Sequence, residues 1–110
     1  MIDLFGGHPD TTSLTDVSDV QFLDTTLRDG EQAPGVSLTP EEKARIASAL
    51  DDAAVDVIEA GSACTGPGER ETISRVSDLD LEATVTSFCR GIRRDVDLAM
   101  DCGVDGINLV

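Results

Sequence analysis

The stretch Leu23-Asp-Thr-Thr-Leu-Arg-Asp-Gly-Glu-Gln-Ala-Pro-Gly35 contains the point where a predicted strand gives way to a polar turn. Residues 20–27 are rich in Val, Phe, Leu and Thr and predict a first strand that ends at Arg28-Asp29-Gly30-Glu31-Gln32. Just beyond, Thr39-Pro40-Glu41-Glu42 predicts a helix start, because it combines a capping box with proline at the first helical position. A strand followed closely by a helix is the repeating unit of parallel α/β folds.

The same unit repeats along the rest of the chain. Two more helices are predicted, one opened by Gly66-Pro67-Gly68 and one that stops at Gly103, and three more strands are predicted at residues 55–60, 83–88 and 107–110. The order βαβαβαβ implies an α/β fold with a parallel sheet, either doubly wound or part of a (β/α)₈ barrel. Since a barrel usually needs about 250 residues, the second alternative means that less than half of the barrel is present in this chain.

The two ends of the chain differ in character. Residues 1–19 are polar, without sustained periodicity, and are predicted to be a flexible leader, whereas residues 20–110 carry the α/β pattern. The last predicted strand runs to Val110 with no cap, turn or polar tail after it. We therefore expect the α/β domain to be incomplete.

The charge of the chain is strongly negative, with 22 acidic against 8 basic residues and a formal net charge of -14. Such a chain repels phosphates and anionic lipid surfaces, so neither nucleic acid nor a membrane is an expected partner. The acidic bias, with a single lysine, is typical of a protein from a high-salt organism.

The cysteines and the hydropathy of the chain indicate the cellular compartment of the protein. Cys64, Cys89 and Cys102 are odd in number and widely spaced, which argues against a disulfide framework or a zinc cluster and favours buried, reduced thiols. No apolar run is long enough to span a bilayer, and no basic, apolar signal segment opens the chain. The sequence predicts a cytoplasmic protein.

Polar residues collect where the predicted strands end. Arg28, Asp29 and Gln32 follow the first strand, Glu59 ends the second, and Arg90 follows the third. In parallel α/β folds the carboxyl ends of the strands form the ligand-binding edge of the sheet. Asp29 is a hard oxygen ligand for a divalent metal, and Arg28 offers planar donors for a carboxylate or an oxyanion. A simple Arg–Asp pair that caps a turn would also explain these two residues.

The opening stretch resembles the first-strand motif of the isopropylmalate, citramalate and homocitrate synthase family, relatives of hydroxymethylglutaryl-CoA lyase. The resemblance continues through residues 37–43, 55–61, 68–71 and 87–90. It implies the N-terminal part of a metal-dependent (β/α)₈ barrel that condenses acetyl-CoA with a 2-oxo acid. A different metal-dependent barrel, such as an aldolase, would share the strand order but not the Arg-Asp-Gly-Glu-Gln-x-Pro-Gly sequence.

The resemblance also implies roles for individual residues. Asp29 matches the metal ligand, with two further histidine ligands expected beyond this chain, and the metal is expected to be Mg²⁺, Mn²⁺ or Zn²⁺. Catalytic roles fall to Arg28, Gln32 and Glu59. Arg28, Arg90 and Asn108 are expected to bind the substrate. Acetyl-CoA is the expected co-substrate.

The choice of 2-oxo acid depends on a few pocket residues. The sequence of residues 58–63 is more similar to that of archaeal citramalate synthases, which favours pyruvate as the substrate. The alternative substrate is 2-oxoisovalerate, with 2-isopropylmalate as the product. The homocitrate branch typically has Glu where Asp29 stands, and the lyase branch lacks the pattern of residues 31–35. A homodimer is expected for the full-length protein, and the chain by itself is expected to be catalytically inactive, because one carboxylate does not hold a metal tightly.

Overall fold

The structure is a computed structural model that describes residues 20–30, 34–35 and 37–110, so the predicted leader and Gln32 lie outside the described residues. Strands and helices alternate through this part of the chain. They are β1 (Leu23–Asp24), α1 (Pro40–Asp52), β2 (Val57–Gly61), α2 (Pro67–Ser77), β3 (Thr84–Cys89), α3 (Arg93–Asp101) and β4 (Gly106–Leu109).

The strands form one parallel sheet in the order β1-β2-β3-β4, so each strand pairs with the one before it. The βαβαβαβ arrangement predicted from the sequence is therefore confirmed, and it is that of the N-terminal part of a (β/α)₈ barrel. All the carboxyl ends of the strands lie at one edge of the sheet, because every pairing is parallel. Among the described residues, no helix combines the length and the apolar character that crossing a bilayer requires.

Strand β1 is much shorter than the predicted strand over residues 20–27, since only Leu23 and Asp24 pair with β2. The Asp24 carboxylate ends the strand. It accepts hydrogen bonds from the backbone N–H of Thr26 at 2.8 Å and from the Thr26 hydroxyl at 3.1 Å. An aspartate that binds the backbone two residues later favours a turn over a continuing strand.

Helix α1 begins as predicted. The Thr39 hydroxyl accepts from the backbone N–H of Glu42, and the Glu42 carboxylate accepts from the backbone N–H of Thr39, so both halves of the capping box are present. The second of these bonds lowers the pKa of Glu42. The helix ends at Asp52, and Ala54 then adopts a φ of 66°, in the left-handed region where glycine is the usual residue.

The hydrophobic core lies between one face of the sheet and the three helices. Its members include Ala47 from α1, Ile58 from β2, Ile73 from α2 and Ala99 from α3, all with no exposed surface. Because successive side chains of a strand alternate between faces, the neighbour of Ile58 in the chain, Glu59, points away from this core. Glu59 therefore lies on the face of the sheet that is not covered by helices.

Candidate active site

The turn after β1 places Arg28 and Asp29 at the carboxyl edge of the sheet. The carbonyl of Thr25 accepts from the backbone N–H of Arg28 at 3.1 Å and of Asp29 at 2.7 Å. Leu27, with no exposed surface, anchors this turn in the core. Arg28 and Asp29 thus lie on a tight turn rather than on opposite faces of a strand, and a 3.7 Å ion pair joins them.

Glu59 is the charged centre of the site. Its side chain is 3% exposed, and its Oε1 accepts from Nε of Arg28 in an ion pair that links the turn after β1 to β2. Its Oε2 accepts from the amide nitrogen of Asn108 on β4 at 2.7 Å. Because each oxygen of Glu59 accepts from a donor, its side chain is fixed in place and orients Arg28.

Asn108 completes this network. Its Nδ2 donates to Glu59 and, at 3.0 Å, to the hydroxyl of Thr86 on β3. An amide nitrogen carries two N–H donors, so both are used by the protein itself. A substrate donor that reaches Asn108 would therefore meet its carbonyl oxygen, Oδ1.

Phe88 packs against the arginine of the site. The guanidinium carbon of Arg28 lies 4.3 Å from the centroid of the Phe88 ring, which is within the range of a cation–π contact. Arg28 is consequently bound at Nε by Glu59 and on one face by an aromatic ring. Nη1 lies 3.7 Å from Asp29, and neither terminal nitrogen donates a hydrogen bond to another described residue, so both can donate to a ligand.

Arg90 makes its contacts elsewhere. Its Nε and Nη2 donate to the two carboxylate oxygens of Asp95 at 2.7 and 3.0 Å, and its backbone N–H donates to the same carboxylate at 3.2 Å. These hydrogen bonds from Arg90, above all from its side chain, lower the pKa of Asp95 to about 2, although burial acts in the opposite direction. The same pair raises the pKa of Arg90. The bidentate pair ties the end of β3 to the first turn of α3.

The cysteines are unpaired, as the sequence predicted. Cys89 and Cys102 are buried, while Cys64 is only half-buried, with its Sγ 3.2 Å from the hydroxyl of Ser62. Burial raises the pKa of the Cys89 thiol, and a thiol that resists ionisation is a poor nucleophile. Cys89 therefore belongs to the packing of the sheet.

The structure brings together three of the predicted site residues, Arg28, Glu59 and Asn108, with Asp29 beside them. It also adds Thr86 and Phe88, which the sequence analysis missed. The sequence did contain a signal for them. Side chains alternate between the two faces of a strand, so Thr86 and Phe88, two residues apart in the third predicted strand, share a face. In the sheet, Thr86 is the Cα partner of Glu59, and Phe88 is that of Asn108.

Asp29 fits a role as one ligand of a metal. Its side chain is 60% exposed, and its carboxylate oxygens are hard donors of the kind that divalent metals bind. Its ion pair with Arg28 is long, at 3.7 Å. Within residues 20–30, 34–35 and 37–110, no cluster of three or more His, Cys, Asp or Glu side chains is arranged to hold a metal ion. The described residues thus do not by themselves complete a metal site around Asp29.

The fold and the site together define a parallel α/β chain of the barrel type with an arginine–carboxylate cluster at the carboxyl ends of its strands. Residues 19–110 match the HMGL-like family. The chain belongs to this family, which confirms the resemblance seen in the sequence.

Named relatives are similar to this chain over most of its length. It is 55% identical to the (R)-citramalate synthase CimA of Methanocaldococcus jannaschii over 91 residues, which is 83% of this chain and 18% of the relative. It is 57% identical over 91 residues to a putative (R)-citramalate synthase CimA of Methanothermobacter thermautotrophicus, with the same coverage. It is 55% identical over 89 residues to the 2-isopropylmalate synthase of M. jannaschii, covering 81% of this chain and 17% of that protein. The chain thus spans less than a fifth of the length of these relatives.

Proposed function

We propose that the protein containing this chain is a divalent-metal-dependent acyltransferase that condenses acetyl-CoA with a 2-oxo acid, with pyruvate as the substrate and (R)-citramalate as the product. One observation carries this proposal: Arg28 is fixed by Glu59 next to the exposed carboxylate of Asp29, in a chain of the HMGL-like family. The similarity to the CimA proteins supports pyruvate.

Arg28 binds and stabilises negative charge in this proposal. Its terminal nitrogens form a planar fork that matches a carboxylate and can also donate to an oxygen on which charge develops. In the condensation, a general base takes a methyl proton from acetyl-CoA, the methyl carbon bonds to the keto carbon as the C=O π bond breaks, and the keto oxygen becomes an alkoxide that takes up a proton. Water cleaves the thioester and releases CoA. Arg28 lowers the energy of the step in which the alkoxide forms.

Glu59 and Asn108 act by holding Arg28. The buried Glu59 carboxylate binds Nε and so sets the direction in which the terminal nitrogens point. Asn108 binds the other oxygen of Glu59 and prevents the carboxylate from rotating away. This arrangement preorganises the charge before substrate arrives, which is more effective than reorienting it during the reaction.

Asp29 would hold the metal together with ligands from outside the described residues. The bound metal supplies Lewis-acid polarisation of the keto group. Asp29 lies one residue from Arg28, so the chain presents a ligand and a cationic donor side by side. A guanidinium beside a metal held by Asp29 would suit a 2-oxo acid, because its carboxylate and its keto oxygen both need a positively charged partner.

Two alternatives are part of the proposal. The similarity to the 2-isopropylmalate synthase of M. jannaschii favours 2-oxoisovalerate as a second candidate substrate. The chain as given is proposed to be inactive alone, since its described part has no cluster of three or more side chains that could hold the metal. Either synthase would serve branched-chain amino-acid biosynthesis.

Several features of the whole protein are also proposals. They are a leader before residue 20, an incomplete catalytic domain from residue 20 to residue 110, a cytoplasmic location at high salt, and a homodimeric assembly. Small molecules are the proposed partners, and the charge of -14 supports this over nucleic acid or anionic lipid.

A thiol-release assay tests the proposed function. The protein in its full encoded length is incubated in high salt with acetyl-CoA, Mg²⁺ or Mn²⁺, and either pyruvate or 2-oxoisovalerate. Faster CoA release with pyruvate is the expected result, and faster release with 2-oxoisovalerate would assign the second candidate. Failure to release CoA with any 2-oxo acid would overturn the proposal, provided that the protein is folded by circular dichroism.

A further inference from the structure

We propose that Phe88 is a positioning residue for Arg28 and thereby for the 2-oxo acid. This inference deepens the proposed function and rests on it. Neither the motif at residues 23–35 nor the polar residues at the strand ends point to Phe88. The observation behind it is the position of the ring against the guanidinium, 4.3 Å from its centroid to Cζ of Arg28.

The register of the sheet explains why the ring reaches Arg28. Phe88 is the Cα partner of Asn108 on β4, and it shares a face of β3 with Thr86, the Cα partner of Glu59. Partners in adjacent strands point to the same side of a sheet. The ring therefore belongs to the same surface as the carboxylate that binds Arg28.

Glu59 alone does not prevent the guanidinium plane of Arg28 from tilting. A guanidinium has five N–H donors in one plane, and Glu59 engages the donor on Nε. The ion pair of Nη1 with the exposed Asp29, at 3.7 Å, is too long for a hydrogen bond, so the plane can still tilt about the contact at Nε. A ring against the face of the plane opposes the tilt, because the cation is attracted to the ring surface. Two contacts, one in the plane and one on its face, fix the orientation of the terminal nitrogens.

That orientation matters for a planar ligand. A carboxylate bound through two parallel hydrogen bonds must lie close to the plane of the guanidinium. Holding this plane in advance reduces the side-chain entropy that Arg28 would otherwise lose when the ligand binds. We therefore expect loss of the ring to weaken the use of the 2-oxo acid more than the use of acetyl-CoA.

The test compares Phe88→Leu with Phe88→Tyr in the protein in its full encoded length. Leucine keeps an apolar side chain but has no aromatic face, whereas tyrosine keeps the face. For Phe88→Leu we expect kcat/KM for the 2-oxo acid to fall on the order of 10-fold, while KM for acetyl-CoA changes by less than about twofold. Phe88→Tyr should recover most of the loss. Phe22→Leu removes a ring from a 62% exposed position before β1 and is the matched control.

A second measurement reads the contact without using activity. In protein labelled with ¹⁵N-arginine, the Nε–H resonance of Arg28, assigned with Arg28→Lys, should move in Phe88→Leu and stay nearly unchanged in Phe22→Leu. An unmoved resonance in Phe88→Leu overturns the proposal. So does an equal loss for both substrates, or a Tyr variant as impaired as the Leu variant. If the unmutated protein releases no CoA, the proposed function fails, and the resonance alone decides whether Phe88 orients Arg28.

Discussion

At the scale of single residues, the site depends on one arginine that makes two specific contacts. Arg28 is bound by Glu59 at Nε and by the Phe88 ring on its face. Lysine has a point charge in place of this planar fork, so it cannot reproduce both contacts together with a bidentate ligand. The chemistry of the side chain, and not its charge alone, is what the site requires.

The first prediction concerns this arginine. Arg28→Lys should lower kcat/KM for the 2-oxo acid by about 100-fold or more, as is typical when a donor to a developing oxyanion is lost. Steady-state CoA release measures it. Arg75→Lys, which alters an exposed ion pair with Glu41 on the helical side, should leave the rate close to that of the unmutated protein. A lysine variant that keeps full activity would remove Arg28 from the reaction.

The second prediction concerns Asp95, whose pKa is lowered to about 2 by Arg90. In the unfolded chain an aspartate has a pKa of about 3.9. The folded value is the lower one, so the ionised carboxylate stabilises the fold above pH 4, and this contribution is lost as the pH falls from about 4 to 2. Asp95→Asn should thus be less stable at pH 7, and the difference from the unmutated protein should shrink toward pH 2.

Urea unfolding at a series of pH values measures the effect. Asp97→Asn removes the same charge from an exposed position on α3 and serves as the control. A difference between Asp95→Asn and the unmutated protein that stays constant from pH 7 to pH 2 would contradict the role given to the ion pair with Arg90.

At the scale of elements, helix α1 shows what local sequence can and cannot predict. Its start was predicted from residues 39–42 and is confirmed, because a capping box involves only neighbours in the chain. Its end has no such local signal, because no glycine follows the last helical residue. There the chain places Ala54 at a φ of 66°, a conformation that costs an L-residue about 1–2 kcal/mol.

The third prediction follows from that backbone conformation. Ala54→Gly should raise the free energy of unfolding by about 0.5–1 kcal/mol, because glycine has no Cβ to clash in the left-handed region. Ala53→Gly is the matched control. Ala53 has a φ of -82°, which alanine adopts readily, so glycine there should lower stability by about 0.5–1 kcal/mol. Chemical denaturation of both variants gives the two signs, and equal signs would contradict the argument.

The sheet was predicted less completely than the helices. The strand over residues 20–27 is reduced to two residues because the Asp24 carboxylate binds the backbone of Thr26, a competition that apolar patterning does not reveal. In the candidate site, too, features set by neighbours in the chain were predicted better than contacts between residues that are distant in the chain. The position of Arg28 after the first strand was predicted from the chain. Glu59 was predicted at the end of the second strand but lies inside β2, which continues to Gly61. The contacts of Phe88 and Thr86 depend on strand register, which brings distant residues together. Gln32 stays a prediction.

At the scale of the whole molecule, charge dominates the surface. A formal charge of -14 on 110 residues means that like charges repel one another across the folded chain. The ion pairs among the described residues involve few of the acidic groups. The carboxylates in these pairs that are buried or half-buried are those of Glu59, Glu69 and Asp95. Stability should therefore depend on ionic strength.

The fourth prediction is that potassium chloride raises the melting temperature, most steeply below about 1 M. The Debye length falls from about 10 Å at 0.1 M to about 3 Å at 1 M, so screening of the repulsion is largely complete by then. Differential scanning calorimetry across 0.1 to 4 M measures the curve. A rise that continued with the same slope at high salt would indicate exclusion of salt from the surface instead, and a fall would contradict the prediction.

The order β1-β2-β3-β4 has a consequence for synthesis on the ribosome. Within the described residues, each strand after β1 joins the edge formed by the strand made just before it. The contact order among these four strands is therefore low for a parallel fold, and the loop-closure entropy lost at each step is small. As the nascent chain emerges, the sheet can grow one βα unit at a time. The residues that hold Arg28 then assemble in sequence: Glu59 arrives first, Phe88 next, and Asn108 closes the network last.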